Sequence, residues 1–241
     1  MTLKPNLRFI DFQLAKSTKD LPLVERTNAL ERAEFVSQYM PTEGLQIQPL
    51  PRTTDETQQS ESITYTIDIQ TADTILEPDF EACFALIEQT SANDYTSSSM
   101  GWSPIKKRKE MRLPDMRYIL LRHKGPPTSP DGKRMPVLGF ASFMTTYEDG
   151  KEVLYCYEIH LDPSLQGQGL GGQLMASLEE IGRRIGLEKV MLTVFKANGS
   201  AVRFYEKLRY DVDEFSPQPR TLRNGAVKEP DYLILSKGLR G

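Results

Sequence analysis

The residues from Tyr155 to Gly186, YCYEIHLDPSLQGQGLGGQLMASLEEIGRRIG, constrain the fold more than any other stretch of the chain. Val153 to Leu161 is rich in aromatic and β-branched residues, which fit a pleated and largely buried strand. Asp162-Pro163 ends that strand. Gly167, Gly169, Gly171 and Gly172 follow, and then Leu174, Leu178, Ile181 and Ile185 recur at helical spacing, with Gly186 placed to close the helix. A glycine-rich turn that opens a helix lets backbone N–H groups approach an anion, and the helix dipole favours negative charge there. A phosphate group is the expected guest. The pattern is not the P-loop, because no Lys-Ser or Lys-Thr follows the glycines, and the dinucleotide-binding reading is set aside as well.

The order Gln166-Gly167-Gln168-Gly169-Leu170-Gly171 resembles the pyrophosphate loop of the Gcn5-related N-acetyltransferases (GNAT), Gln/Arg-x-x-Gly-x-Gly/Ala. A second stretch, Asn198-Gly199-Ser200-Ala201-Val202-Arg203-Phe204-Tyr205-Glu206-Lys207, is similar to the segment that starts the second helix of that family. Val190 to Phe195 reads as a buried strand between them, so strand, helix, strand and helix succeed one another over 153–208. The resemblance implies an α/β GNAT fold, with a mixed, mostly antiparallel central sheet and helices on both faces. It implies acetyl-CoA as cosubstrate and no metal. The cosubstrate would lie against Ile159, His160, Leu161, Gln166, Gly167, Gln168, Gly169, Leu170, Gly171, Asn198, Ala201, Phe204 and Tyr205, with Tyr205 bordering the thioester sulfur.

With 241 residues the chain is long enough for one large domain. The expected division is a helical arm and polar loop over 1–62, packed on an acetyltransferase domain over 63–241. Nothing reads as a membrane span, and Met1 to Asn6 lacks the layout of a secretory signal. Cys83 and Cys156 both lie in apolar patterns, which suits buried thiols in a reducing compartment. A net charge of −3 argues against a nucleic-acid groove but leaves room for an acidic patch that attracts a basic peptide.

Along the chain, Ala29, Ala33, Val36 and Met40 predict one amphipathic helix within 21–40. Residues 41–62 read as a polar surface loop. Ile63, Tyr65, Ile67 and Ile69 alternate as in a half-buried strand, and a helix begins near Pro78 with Phe80, Cys83, Phe84 and Ile87 on one face. Tyr95 to Trp102 is expected to be a loop beside the substrate. The basic run Ile105 to Met111 reads as a solvated helix face. Met116 to Arg122 and Val137 to Tyr147 read as strands joined by a loop over Gly125 to Pro136, and Glu148-Asp149-Gly150-Lys151 as a hairpin turn. Ser216 to Pro230 is expected to be loop before a last strand at Asp231 to Leu235.

Acyl transfer from a thioester to an amine needs a neutral amine, a polarised carbonyl and a proton for the leaving thiolate. An α-amine has a pKa of about 8 and a lysine about 10.4, so a base must take a proton near neutral pH. Glu158 is the candidate, a carboxylate in an otherwise apolar strand; a buried structural ion pair is the competing explanation. A backbone N–H near Ile159 or Leu161 could hold the carbonyl oxygen, and Tyr205 could protonate the sulfur. Simple alternation puts Tyr155 and Tyr157 on one face and Glu158 on the other, so they converge only if the strand bulges. Tyr155 and Tyr157 as plain core aromatics is the alternative.

Tyr155-Cys156-Tyr157-Glu158, Met191 to Lys196 and the Gly101-Trp102 segment further resemble the N-terminal acetyltransferase D (NatD) family. That resemblance implies a monomer without auxiliary subunit, in cytoplasm and nucleus, that acetylates histone N-terminal tails beginning Ser-Gly-Arg-Gly, those of histones H-four and H-two-A. It makes Glu158 the general base with Tyr157 and Tyr205 beside it, and Tyr95, Met100, Trp102, Thr146, Glu148, Tyr155, Tyr157, Thr193 and Tyr232 the peptide site. Met100 stands where the family has an aromatic and Thr146 where it has an acid, so Asp149 or Glu152 is expected to share with Glu148 the contact to the peptide's arginine. A lysine acetyltransferase of the same fold, and a non-catalytic CoA-binding or tail-binding module, are the other readings.

Overall fold

A computed structural model of the chain describes residues 20–41, 46–50, 63–125, 134–221 and 223–240. The reading of Met1 to Asn6, most of the polar loop within 41–62 and much of the Gly125 to Pro136 connection lie outside the described residues.

The single helix expected over 21–40 is two, α1 (Leu23–Asn28) and α2 (Arg32–Tyr39). Ala29 and Ala33 are exposed, and Val24, Thr27, Phe35 and Met40 face inward instead. The chain turns at Ala29 to Glu31, so no continuous 3.6-residue stripe survives. Next come β1 (Gln46–Ile47), β2 (Tyr65–Thr71), α3 (Glu77–Thr96), α4 (Pro104–Met111), β3 (Arg117–His123), β4 (Gly139–Glu148) and β5 (Lys151–Leu161). Then follow α5 (Leu170–Ile185), β6 (Lys189–Phe195), α6 (Gly199–Lys207), β7 (Asp211–Val212), β8 (Arg220–Thr221), β9 (Val227–Lys228) and β10 (Tyr232–Gly238). The pair β8–β9 makes a small antiparallel ribbon inside the segment expected to be loop throughout. Its residues are exposed, so no hydrophobic alternation announces it.

One eight-stranded sheet runs in the order β1-β2-β3-β4-β5-β6-β10-β7, and its only parallel pair is β5 with β6. The glycines at 167, 169 and 172 do match the dinucleotide spacing Gly-x-Gly-x-x-Gly. The antiparallel sheet is what rules out the doubly wound fold that spacing serves. Asp149 (φ 50°) and Gly150 (φ 82°) form the tight turn between β4 and β5, both left-handed as a two-residue hairpin of this hand requires.

The sheet carries a core on each face. Against one face, α5 buries Leu174, Leu178, Ile181 and Ile185 together with α2's Phe35 and β5's Leu154 and Cys156. Each such side chain contributes about 1.5–3 kcal/mol by leaving water. Against the other, α3 and α4 bury Phe80, Phe84, Ile87 and Met111 over Tyr118, Leu120 and Phe140. Cys83 and Cys156 are buried free thiols. No described helix is long and apolar enough to cross a membrane.

Candidate active site

Two irregularities of β5 create the site. Ser142 on β4 faces Glu158 while the next residue, Phe143, faces Cys156, so Tyr157 is an extra residue bulged out of the ladder. The bulge reverses the strand's parity: Leu154 and Cys156 face the α5 core before it, and Ile159 and Leu161 face that core after it. Tyr155, Tyr157, Glu158 and His160 consequently all face α3 and α4, the convergence that simple alternation forbids. The parallel ladder with β6 also stops, at Cys156 with Leu192. Beyond it the two strands part and leave a cleft of ≈ 580 Å³, the size of a small-molecule site.

At one end of the cleft lies the helix entry. Gly167 (φ 74°) and Gly169 (φ 76°) are left-handed, and Gly169 is the N-cap of α5. At Gly171 a Cβ would sit 3.4 Å from the Phe204 ring, so helix and ring pack closely. Asn198 caps α6, its Oδ1 accepting from Ala201 N–H at 3.0 Å, and its Nδ2 donates to Asp94 on α3 at 2.8 Å. Of the residues expected at the cosubstrate, Gln168 and Leu170 do not line the cleft. Gln168 folds back onto Ser164 O at 2.8 Å, and Leu170 is wholly buried in the α5 core.

The other end is ionic. Glu158 is 7% exposed, and its Oε1 accepts from Lys107 Nζ at 2.7 Å and Tyr95 OH at 2.9 Å, while Oε2 lies 2.6 Å from His160 Nε2. Burial alone would push the Glu158 carboxyl up, but the Lys107 ammonium and the His160 contact outweigh it and hold the pKa down at about 2. Burial works against the Lys107 charge too, and Glu158 reverses it, raising that pKa above the usual lysine range. Burial raises the phenols as well: Tyr157 is pushed up to about 12, and Tyr205, bordering the cleft, well above its ordinary value. A phenol so raised is a hydrogen-bond donor at neutral pH.

Tyr95 lies in the last turn of α3, not in a loop, because the helix runs on through the polar residues Gln89 to Thr96. It donates to the carboxylate besides forming a wall. Tyr155 meets Thr193 at 2.6 Å between hydroxyl oxygens and tilts against Tyr157 with ring centroids 5.3 Å apart. Tyr157 and Thr193 line the cleft, whereas Met100, Trp102, Thr146, Glu148, Tyr155 and Tyr232 stand outside its lining. Trp102 stacks on Phe84 and tilts against Tyr95. Glu148 and Thr146 share the face of Met144, the partner of Tyr155, and Glu148 is close enough to raise the Tyr155 phenol. Glu152 pairs with Tyr147 and points to the opposite face, so it does not join Glu148.

Sequence reasoning missed Lys107, Thr90 and Glu110. Lys107 was hidden inside a basic run that reads as solvent-facing. The signal was that Met111 lies one helical turn beyond it, while Ile105, the run's other apolar residue, is 78% exposed.

The model of the acetyltransferase (GNAT) family matches residues 84–210, which contain the cleft. A 61-residue stretch is 48% identical to mycothiol acetyltransferase of Streptosporangium roseum, covering 24% of this chain and 18% of that protein, so the match spans less than a fifth of that relative. Among solved structures, the ribosomal-protein-S18-alanine N-acetyltransferase from Escherichia coli is similar at 19% identity, covering 72% of this chain and 94% of that one with a TM-score of 0.47. Ard1 from Thermoplasma volcanium is similar at 16% identity, 73% and 99% coverage and a TM-score of 0.48. A GNAT family acetyltransferase from Elizabethkingia anophelis with acetyl-CoA bound is similar at 16% identity, 72% and 97% coverage and a TM-score of 0.46.

Proposed function

Because the chain belongs to the GNAT acetyltransferase family, we propose that it moves the acetyl group of acetyl-CoA to the free α-amine of a protein N-terminus, with histone tails beginning Ser-Gly-Arg-Gly as substrates. The observation that carries this reading is the buried Glu158 carboxylate set beside Tyr157, Thr193 and Tyr205 in one cleft with the glycine-rich helix entry. The entry's N–H groups would take the pyrophosphate of acetyl-CoA. The edge of β5 that β6 leaves at Cys156 would offer a backbone N–H of Ile159 or Leu161 to the thioester carbonyl. Glu158 receives a proton from the ammonium, the amine attacks the carbonyl carbon, the carbon–sulfur bond breaks, and the amine's second proton ends on the sulfur. Tyr205 steadies that sulfur by donating a hydrogen bond.

The peptide would lie over Tyr155 and Tyr157, where Glu148 and Glu110 both raise the Tyr157 phenol. Two carboxylates around one aromatic platform suit a guanidinium two residues behind the amine. The test is acetyl-CoA turnover on short peptides with free or blocked amino termini, read by mass spectrometry. Acetylation of free α-amines alone supports the reading, and acetylation of lysine in blocked peptides replaces it with a lysine acetyltransferase. Tight acetyl-CoA binding with no turnover on any amine would make the protein a non-catalytic module.

A further inference from the structure

Thr90, His160 and Glu158 form a chain of short contacts that closes only with an extra proton. Thr90 Oγ1 lies 2.7 Å from Leu86 O, His160 Nδ1 lies 2.6 Å from Thr90 Oγ1, and His160 Nε2 lies 2.6 Å from Glu158 Oε2. The outer members, a carbonyl and a carboxylate, can only accept. Three contacts need three protons, while the hydroxyl and a neutral imidazole supply one each. Leu86 O takes the hydroxyl's proton, so Thr90 Oγ1 accepts from Nδ1–H, and the ring is held in the tautomer whose Nε2 has a free lone pair. Without a third proton Nε2 turns its lone pair toward Glu158, and the third contact closes when a proton enters between Nε2 and Glu158.

We propose that Glu158 and His160 act as one proton acceptor, in which the proton taken from the substrate amine passes through Glu158 to Nε2 of His160, with Thr90 as the residue that fixes the receiving tautomer. The proposal rests on Glu158 being the group that takes the amine's proton. An N–H bond of the ammonium breaks and an O–H bond forms on Glu158; that bond then breaks as an N–H bond forms on Nε2, leaving the carboxylate and an imidazolium. After acyl transfer the imidazolium gives its proton to water in the cleft, which His160 lines. The arrangement answers a difficulty of the site: a carboxylate held by Lys107 is a weak final acceptor for the proton of an amine, whereas imidazole is the side chain suited to exchange protons near neutral pH. The other ionisable groups around the pair are Tyr95 and Asp94 on α3, Lys107 and Glu110 on α4, Tyr118 on β3, Tyr157 and, from the opposite face of the strand, Cys156 on β5, and Tyr205 on α6. Phe140 tilts against the His160 ring at 5.6 Å and limits its rotation.

Two measurements test this. The chain has 2 histidines, His123 and His160, so nitrogen NMR on histidine-labelled protein assigns the ring protons without any substrate. The expected result is that the neutral ring carries its proton on Nδ1, with Thr90→Val releasing it to the Nε2–H form. A His160 that keeps Nε2–H in the wild type overturns the proposal, since that nitrogen then has nothing to receive a proton with. Secondly, His160→Gln can still donate a hydrogen bond to Glu158 but cannot take up its proton. At pH 7 its kcat is expected to fall by ~100-fold with both KM values within about threefold, and the gap to close above the amine's own pKa of about 8, where no base is needed. An unchanged kcat, or a loss equal at every pH, overturns the relay. If wild-type protein acetylates no amine, the transferase reading fails, and the nitrogen spectra decide the proton arrangement on their own.

Discussion

Glu158 is both the group expected to accept a proton and one half of a buried ion pair, and these roles make opposite demands on its pKa: a base gains from a higher value, and the Lys107 ammonium holds it low. Held at about 2 against roughly 4.3 in an unfolded chain, it contributes about 3 kcal/mol of stability. Because the folded value is the lower one, that contribution is complete above pH ~4.3 and disappears as pH falls through the folded value. Glu158→Gln keeps the shape and cannot take the proton; kcat is expected to fall ~100-fold or more while the affinity for acetyl-CoA, measured by calorimetry, stays within a few-fold. Near-normal turnover at neutral pH would move the base elsewhere. Lys107→Met does something different. It leaves a 7% exposed carboxylate without its cation, which costs about 3–5 kcal/mol at pH 7. With the cation gone, only the His160 contact still opposes burial, so the carboxyl rises from its wild-type value, protonation relieves the defect, and the deficit should shrink between pH 7 and pH 5. Urea unfolding at the two pH values reads this; a deficit that grows on acidification would mean that Lys107 is not the partner that matters.

The glycine turn is the element on which the cosubstrate reading stands. At Gly169 the backbone is left-handed, and an added Cβ would come within 2.5 Å of Leu50 Cδ1. Leu50 is 61% exposed and tied to the turn by its N–H on Gln168 O at 3.0 Å, so its side chain can yield more easily than the φ of 76° can. Gly169→Val therefore strains the turn chiefly through its backbone, by about 1–2 kcal/mol, and is expected to weaken acetyl-CoA binding ~10-fold in calorimetry. Unchanged affinity would remove the phosphate from this turn. The turn and the helix after it were legible in the chain because glycine spacing and a 3.6-residue stripe are local signals. The bulge at Tyr157 was not, since it is set by the register between β4 and β5, which no single strand contains. Lys107 was hidden for a related reason: its burial depends on a carboxylate 51 residues away. The break between α1 and α2 escaped because Thr27 and Arg117 do the burying there, with Arg117 NH2 donating to Thr27 O at 2.9 Å and its guanidinium over the Phe35 ring. Neither residue type counts as apolar in a periodicity.

Across the whole molecule the sheet divides the work between its faces. The α5 face holds the arm helices, the glycine turn and Tyr205, and the α3–α4 face holds Glu158, Lys107, Tyr95 and Tyr157. The two meet only where β5 and β6 part, and distant segments are tied together around that opening: Ser99 N–H and Oγ donate to Asp231, and Asn198 to Asp94. A peptide entering from the α3–α4 side would bring its third residue toward the β4–β5 hairpin, where Glu148 shares the face of Tyr155 and Thr146 beside it carries no charge. Glu110 supplies the second carboxylate from α4, but it also accepts from Lys107 Nζ at 2.5 Å, so replacing it would disturb Glu158 as well. Glu148 is the cleaner probe. The measurement is a double-mutant cycle on kcat/KM, Glu148→Ala in the protein against Arg→Ala at the third position of a Ser-Gly-Arg-Gly peptide. An exposed ion pair would couple by under ~1 kcal/mol, and a partly buried charge-assisted bond by about 1.5–3 kcal/mol, so the size of the coupling reports how deeply the arginine sits. Coupling of ~1 kcal/mol or more that weakens with added salt is the expected outcome. If the two losses simply add, Glu148 does not meet the arginine, and the peptide is selected at Tyr155, Tyr157 and Thr193 by shape rather than by charge.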